Sequence, residues 1–213
     1  MRYFEMFVNL LLIVYICITS LIFVTTISLK EINTKYMRCE IIEADCEKFL
    51  LNNHSERSEK FDLSFLDPPF NQNKEYMVHN DNMPEHEYWD WMKRVCKSIF
   101  SHTSDGGAIY FMQREKNVRF VSECLESSGW VFQNLIIWKK KTSAVPLRQN
   151  FGKHYQIIVF ATKGKKPRIF NKLRIDPPLL VTDKYCRQRG IYVTNVWDDI
   201  RELTSVFLLA MNP

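Results

Sequence analysis

At 213 residues, with 46% hydrophobic and 25% charged content, the chain is long enough to bury one ordinary core without staples. Net charge is +5 and the six cysteines, at 17, 39, 46, 96, 124 and 186, include no C-x-x-C pair. That excludes a disulfide scaffold or a structural zinc ribbon as the organising principle, no metal ligands are assigned, and reduced thiols fit a cytoplasmic domain.

The first element is apolar. Phe7 to Leu29 runs 23 residues without a charge, long enough for a membrane-crossing helix. Residues 1–36 therefore read in one of two ways, as a membrane anchor or as sequence upstream of a second start at Met37. If the anchor is genuine, membrane association runs through residues 7–29; otherwise the chain is cytoplasmic. From Met37, residues 37–205 read as one α/β domain. Cys39–Ala44 is a strand candidate and Asp45–Asn52 a short helix, followed by a polar loop over 53–60. Asn53-His54-Ser55 within that loop matches a glycosylation sequon, which matters only outside the cell.

Phe61–Leu66 is a buried strand that runs straight into Asp67-Pro68-Pro69-Phe70. Proline fixes φ, lacks an N–H and restricts the residue before it, so the strand must end in a stiff turn whose carbonyls no sheet ladder consumes. Such a turn is either a structural corner or a site offering an aspartate, two free carbonyls and an aromatic face. Asp176-Pro177-Pro178-Leu179 lacks both the preceding strand and the aromatic residue.

After a polar loop over 71–84, Pro84-Glu85 opens a helix to about Ser101, with Tyr88, Trp91, Met92, Val95, Ile99 and Phe100 at core spacing. Residues 105–107, Asp-Gly-Gly, form a turn before a buried strand at 108–112, and Asn117–Ser128 is a helix stopped by Gly129. Two long strands follow, within 130–140 and 155–164, with only a loop between them, as suits an antiparallel pair at one sheet edge. Alternating strands and helices predict a mostly parallel sheet, whose ligand crevice lies at the carboxyl ends of the strands, where Asp67 sits.

Charge is distributed unevenly. Between Lys139 and Arg174 stand Lys139, Lys140, Lys141, Arg148, Lys153, Lys163, Lys165, Lys166, Arg168, Lys172 and Arg174, without one Asp or Glu. Interleaved with Trp138, Phe151, Tyr155, Phe160 and Phe170, this field favours a polyanion partner over a merely solvated face. His79, His86 and His102 are too far apart for a helical metal pair, His154 is equally a packing or phosphate-contacting residue, and Asp198-Asp199 reads as a cap or a solvent-facing pair.

The turn has a defined chemistry. A carboxylate beside a proline carbonyl can accept both N–H groups of an exocyclic base amine, localising its lone pair for attack on an electrophilic methyl. Phe70 could stack on a base flipped from the duplex. Taken in order, "CEIIEADCEKFL", "FDLSFLDPPFNQNKEY", "DGGAIYFM", "SGWVFQNLIIWKK", "NFGKHYQIIVFATKG" and "VTNVWDDI" resemble the DNA amino-methyltransferases, over about residues 38–205. The resemblance is to the permuted branch of that family, in which the catalytic motif precedes the cofactor motif.

The resemblance implies a partial Rossmann-like α/β sheet that uses S-adenosylmethionine and acts on double-stranded DNA, at adenine N6 before cytosine N4. Asp67 and Pro68 would hold the amino group, with Pro69 in the turn and Phe70 stacking. Asp45 would lie near the cofactor. Lys139, Lys140, Lys141, Arg148, Lys153, Lys163, Lys165 and Lys166 would contact the DNA, within a DNA-contacting region, 139–195, of which residues 142–195 would carry the specificity. The family's glycine-rich cofactor turn has no counterpart: the six glycines, at 106, 107, 129, 152, 164 and 190, make no G-x-G. Residues 206–213 read as an aberrant tail. The expectation is an enzyme inactive alone, with an exposed hydrophobic sheet edge and a complementing chain for the cofactor half. The other readings are a non-catalytic DNA-binding remnant and a membrane-anchored protein of unknown role.

Overall fold

The computed structural model describes residues 13–17, 32–34, 37–39, 44–52, 60–74, 81–141, 146, 148–175 and 191–200. Its strands are β1 (Ile13–Cys17), β2 (Ile32–Thr34), β3 (Met37–Cys39), β4 (Phe61–Asp67), β5 (Thr103–Gln113), β6 (Val131–Lys139), β7 (Tyr155–Thr162), β8 (Arg174–Ile175), β9 (Ile191–Tyr192) and β10 (Val196–Trp197). Helices α1 (Cys46–Asn52), α2 (Glu85–His102) and α3 (Val118–Ser127) lie between them.

Six strands form the main sheet, in the order β1-β4-β5-β7-β6-β10. β7 is antiparallel to both β5 and β6, while β1–β4, β4–β5 and β6–β10 pair in parallel. The long antiparallel pair is thus real, but it does not form the edge. β7 inserts between β5 and β6, and β10 takes the outer position. A hairpin return from β6 can pair on either side, and here its second side is satisfied by β5.

Alternation decides the two faces. Ile109 and Phe111 of β5, with Ile157, Val159 and Ala161 of β7, belong to a core shared with α2, α3 and Leu50 of α1. Ala108, Tyr110 and Met112, with Ile158 and Phe160, point to the opposite face, beside Leu63, Ile136 and Trp197. Burial on both faces is why these strands read as continuous apolar runs. Tyr110 and Phe160 stack at 4.7 Å across that second face.

Helix α2 follows Pro84, with Glu85 and Glu87 in its first turn, where carboxylates suit the helix dipole. Tyr88, Trp89, Met92, Val95, Cys96 and Ile99 are buried, whereas Trp91 and Phe100 only flank the core. Sequence spacing therefore found the right stripe but centred it slightly wrong. Helix α3 ends as expected: Gly129 takes φ +94°, and the Trp130 N–H closes on the Leu125 carbonyl at 3.0 Å.

The Asp-Gly-Gly segment is not a turn between elements. It lies inside β5 as an irregularity, the β4 partner shifting from Phe61↔Thr103 to Leu63↔Ala108. Gly106, at φ +75°, would bring a Cβ to 2.8 Å from the Arg168 Cβ, so only glycine lets that segment pass. The strand expected at Cys39–Ala44 is represented by Met37–Cys39, which folds back on Ile32–Thr34; residues 40–43 lie outside the described residues.

Within the apolar N-terminal segment, residues 13–17 differ from the reading as a helix. Ile13–Cys17, with the sequence IVYIC, is a strand parallel to β4, from Ile13↔Leu63 to Cys17↔Asp67. A β-branched run meets the unpaired backbone of a buried strand, and ladder hydrogen bonds outweigh the length argument for a helix. The edge of β4, expected to be open, is occupied there. No helix among the described residues is long and apolar enough to cross a membrane. The rest of residues 1–36 and the tail from 206 lie outside the described residues.

Candidate active site

Asp67 is the last residue of β4, and the two buried prolines after it end the ladder. Phe70 is half-buried and packs, with Phe65 and Trp138, against the second core. The turn is held from behind. The Tyr88 hydroxyl, on the first turns of α2, donates to the Pro69 carbonyl at 2.6 Å. Gln113, the last residue of β5, donates its Nε2 to that hydroxyl at 2.8 Å. Its Oε1 in turn accepts the Arg114 N–H at 2.9 Å and Asn117 Nδ2 at 3.3 Å. Burial pushes the Tyr88 phenol well above its ordinary range, against the smaller lowering effect of the Gln113 hydrogen bond, so it remains a donor.

This corrects one detail of the sequence reading. Of the two proline carbonyls, that of Pro69 is spent on Tyr88, so the turn does not present two free carbonyls.

A second clamp shapes the residues after the turn. Asp81 is buried, and its Oδ1 accepts the Asn71 N–H at 2.8 Å. Its Oδ2 accepts the N–H groups of Gln72 and Lys74, both at 3.0 Å. Asn71 and Asn73 adopt φ +51° and +59°, left-handed positions that asparagine tolerates better than most residues. The Asn71 side chain also bonds both backbone groups of Met83 at 2.8 Å. The chain thus wraps one carboxylate, and the wrapping sets the path from Phe70 to α2. Sequence reading missed Asp81, Tyr88 and Gln113 as site-shaping residues; the Asn-x-Asn spacing just after the prolines was the available signal for the wrapped loop.

The basic residues divide between two edges. Lys139, Lys140, Lys141, Arg148 and Lys153 lie at the end of β6 and in the loop to β7, on the same sheet edge as Asp67. Lys153 pairs with Glu115 at 2.9 Å, which ties that loop to the 3-10 turn after β5. Partial burial works to raise the Glu115 pKa, yet the hydrogen bond and charge of Lys153 hold it below the usual range. Lys163, Lys165 and Lys166 follow β7 and therefore stand at the opposite edge, away from the turn. Lys163 is committed there: its Nζ donates to the carbonyls of Phe100 and Thr103 at 3.0 and 2.9 Å and sits 4.7 Å from the Phe100 ring centre. A cation at a helix C-terminus satisfies orphan carbonyls and the dipole together.

Asp45 also has a structural task. Its Oδ1 accepts the N–H groups of Glu47 and Lys48 at 3.0 and 3.1 Å, an N-cap for α1. The glycines with positive φ, Gly106, Gly129 and Gly164, all lie at the edge opposite Asp67. Among the described residues no glycine turn that fits a nucleotide-like cofactor lies beside Asp67, so no residue is assigned to that group. Among the described residues no cluster of His, Cys, Asp or Glu is arranged for a metal ion. Asp198, Asp199 and His86 are solvent-exposed, His154 is half-buried, and His102 bonds the Ser98 carbonyl through Nδ1 at the end of α2. His79, residues 53–55, and the second Asp-Pro-Pro at 176–179 lie outside the described residues.

The family model of the N6/N4 class, described as DNA methylase, matches residues 61–206. The chain is 27% identical over 135 residues to the type II methyltransferase M1.MboII of Moraxella bovis, covering 61% of this chain and 49% of that protein. It is 26% identical over 135 residues to the DNA adenine methyltransferase YhdJ of Escherichia coli (strain K12), covering 63% and 44%. The chain spans about half the length of the curated relatives it matches. The crystal structure of M1.HpyAVI shares the fold, with a TM-score of 0.50 and 16% identity over 79% of this chain and 70% of that one.

Proposed function

We propose that this chain, which belongs to the DNA methylase family, supplies the target-base half of a DNA amino-methyltransferase acting on adenine N6 in preference to cytosine N4. The observation that carries the reading is the acceptor pair at the end of β4. Asp67 and Pro68 sit at the carboxyl edge of a parallel pair, and Tyr88 holds the following carbonyl at 2.6 Å so that the turn keeps its shape. Accepting both N–H groups of an exocyclic amine there withdraws its lone pair from the ring and directs it outward. Phe70 offers a face to the base, and the cations on the same edge, Lys139, Lys140, Lys141 and Arg148, neutralise phosphates. S-adenosylmethionine is the methyl donor in this reading, and the preference for adenine rests on the Asp form of the motif. The glycine-rich cofactor turn has no counterpart in this sequence, which has no G-x-G, so methyl transfer is tested with that portion supplied separately. The compartment is the cytoplasm, where the DNA substrate lies.

The test is nucleoside mass spectrometry of unmethylated duplex DNA incubated with S-adenosylmethionine and the full chain. The reaction is run with and without the portion of M1.MboII that this chain does not match. N6-methyladenine in the complemented reaction, lost with Asp67→Ala, is the expected result. N4-methylcytosine instead would reverse the base preference. No methylated base in either reaction would overturn methyl transfer and leave, at most, DNA binding.

A further inference from the structure

We infer that Phe151 is a wedge that enters the base stack of duplex DNA beside the nucleotide delivered to Asp67. The inference rests on the DNA reading above, but it concerns a different element and a different step.

Phe151 lies in the loop from β6 to β7 and is 99% exposed. A single exposed apolar side chain is ordinary. Its setting is what distinguishes this one. Arg148, Gln149 and Asn150 immediately before it are exposed as well, and Lys153 follows two residues later. The ring is therefore carried by groups that bind phosphates and base edges. The loop is also anchored at its base: the Lys140 N–H closes on the His154 carbonyl at 2.8 Å, and Lys153 is tethered to Glu115.

Topology supplies the second argument. The loop begins where Lys139 pairs with Tyr155, at the edge where β4 ends in Asp67 and β5 ends in Gln113. β7 is two strand positions from β4, about 10 Å across the sheet, and Tyr155 lies three residues beyond the level of Asp67, which puts the root of the loop about 14 Å from the turn. That separation spans a few base steps. A base drawn out of the duplex toward Asp67 leaves its neighbours without a stacking partner, and a planar apolar ring fills the gap. Lysine or arginine alone would hold the backbone without filling it.

The experiment uses two short fluorescein-labelled duplexes of one sequence, one intact and one with a single abasic site that imitates the gap. Fluorescence anisotropy reads the affinity of the full chain for each. The wild-type chain should bind the abasic duplex about tenfold more tightly, in line with the worth of one base–aromatic stack. Phe151→Ala should reduce that preference to less than about twofold while leaving affinity for the intact duplex nearly unchanged, since phosphate contacts persist. Phe151→Trp should keep the preference, which a merely structural role would not require. Equal preference in Phe151→Ala and wild type, or none in the wild type despite binding, overturns the wedge and leaves the DNA reading standing. Binding to neither duplex overturns both.

Discussion

Tyr88→Phe is the sharpest probe of how the turn is held. The substitution removes one oxygen from a residue that is 1% exposed, and the ring can stay where it is. Two groups then lose a partner. The Pro69 carbonyl loses the donor at 2.6 Å, and Gln113 Nε2 loses the acceptor at 2.8 Å. Gln113 is fully buried, so water does not readily replace that partner. An orphaned buried polar group costs ~1–3 kcal/mol, so the pair should cost ~3 kcal/mol in all. With a urea slope of ~2–3 kcal/mol per M for a chain of this size, the midpoint should fall by about 1 M at unchanged slope. In a Gln113→Leu background the same substitution should cost about half as much, because only the carbonyl is left to orphan. A loss below ~0.5 kcal/mol in the wild-type background would refute the claim that Tyr88 holds the turn.

Asp81→Asn replaces one acceptor oxygen with an amino group that faces N–H donors from the wrapped loop, and it should cost ~2–4 kcal/mol. Tryptic cleavage after Lys74 should accelerate at least tenfold by the same arithmetic; unchanged cleavage and melting would show that the loop does not depend on the carboxylate. Lys163→Met should lower the melting temperature by about 3–6 °C through the lost α2 cap, without weakening DNA binding; a fall in DNA affinity comparable to that of Arg148→Gln would return Lys163 to the DNA-contacting set. Burial pushes the Cys124 thiol up to about 12 and the Cys96 thiol well above its ordinary value of 9.0. Both stay neutral in the fold and ionise near 9 when unfolded, so their contribution to stability is complete below about pH 9 and declines as pH rises through the folded values. Peptide mapping after iodoacetamide at about pH 8 should therefore find both thiols modified only as fast as the chain unfolds; rapid native labelling would contradict their burial.

Much of this site was legible because its signals are local. Proline's missing N–H and fixed φ end β4 at Asp67 whatever surrounds it, and an aspartate, two prolines and a phenylalanine carry their chemistry in order along the chain. The helical stripe of α2, the glycine stop after α3 and the two long strands follow equally from spacing between near neighbours. What spacing could not supply was partnership across the chain. Tyr88 looked like one more core aromatic of α2 until the fold brought its hydroxyl to Pro69, 19 residues away. Asp81 was an unremarked loop residue until the backbone of 71–74 closed on it. The basic run from Lys139 to Lys166 read as one field because charge is counted along the sequence. An eight-residue strand, β7, separates its two ends by the height of the sheet, so Lys139 and Lys163 face different edges. The segment at Ile13–Cys17 turned the same way: apolar length favours a membrane helix, but an unpaired strand edge offers its backbone hydrogen bonds at once. Sequence alone determined the Asp67-Pro68-Pro69-Phe70 turn and the elements on either side of it. Tertiary structure decided which carbonyl is already spent, which cations share the edge with Asp67 and which strand closes β4, because each depends on hydrogen bonds between residues far apart in the chain.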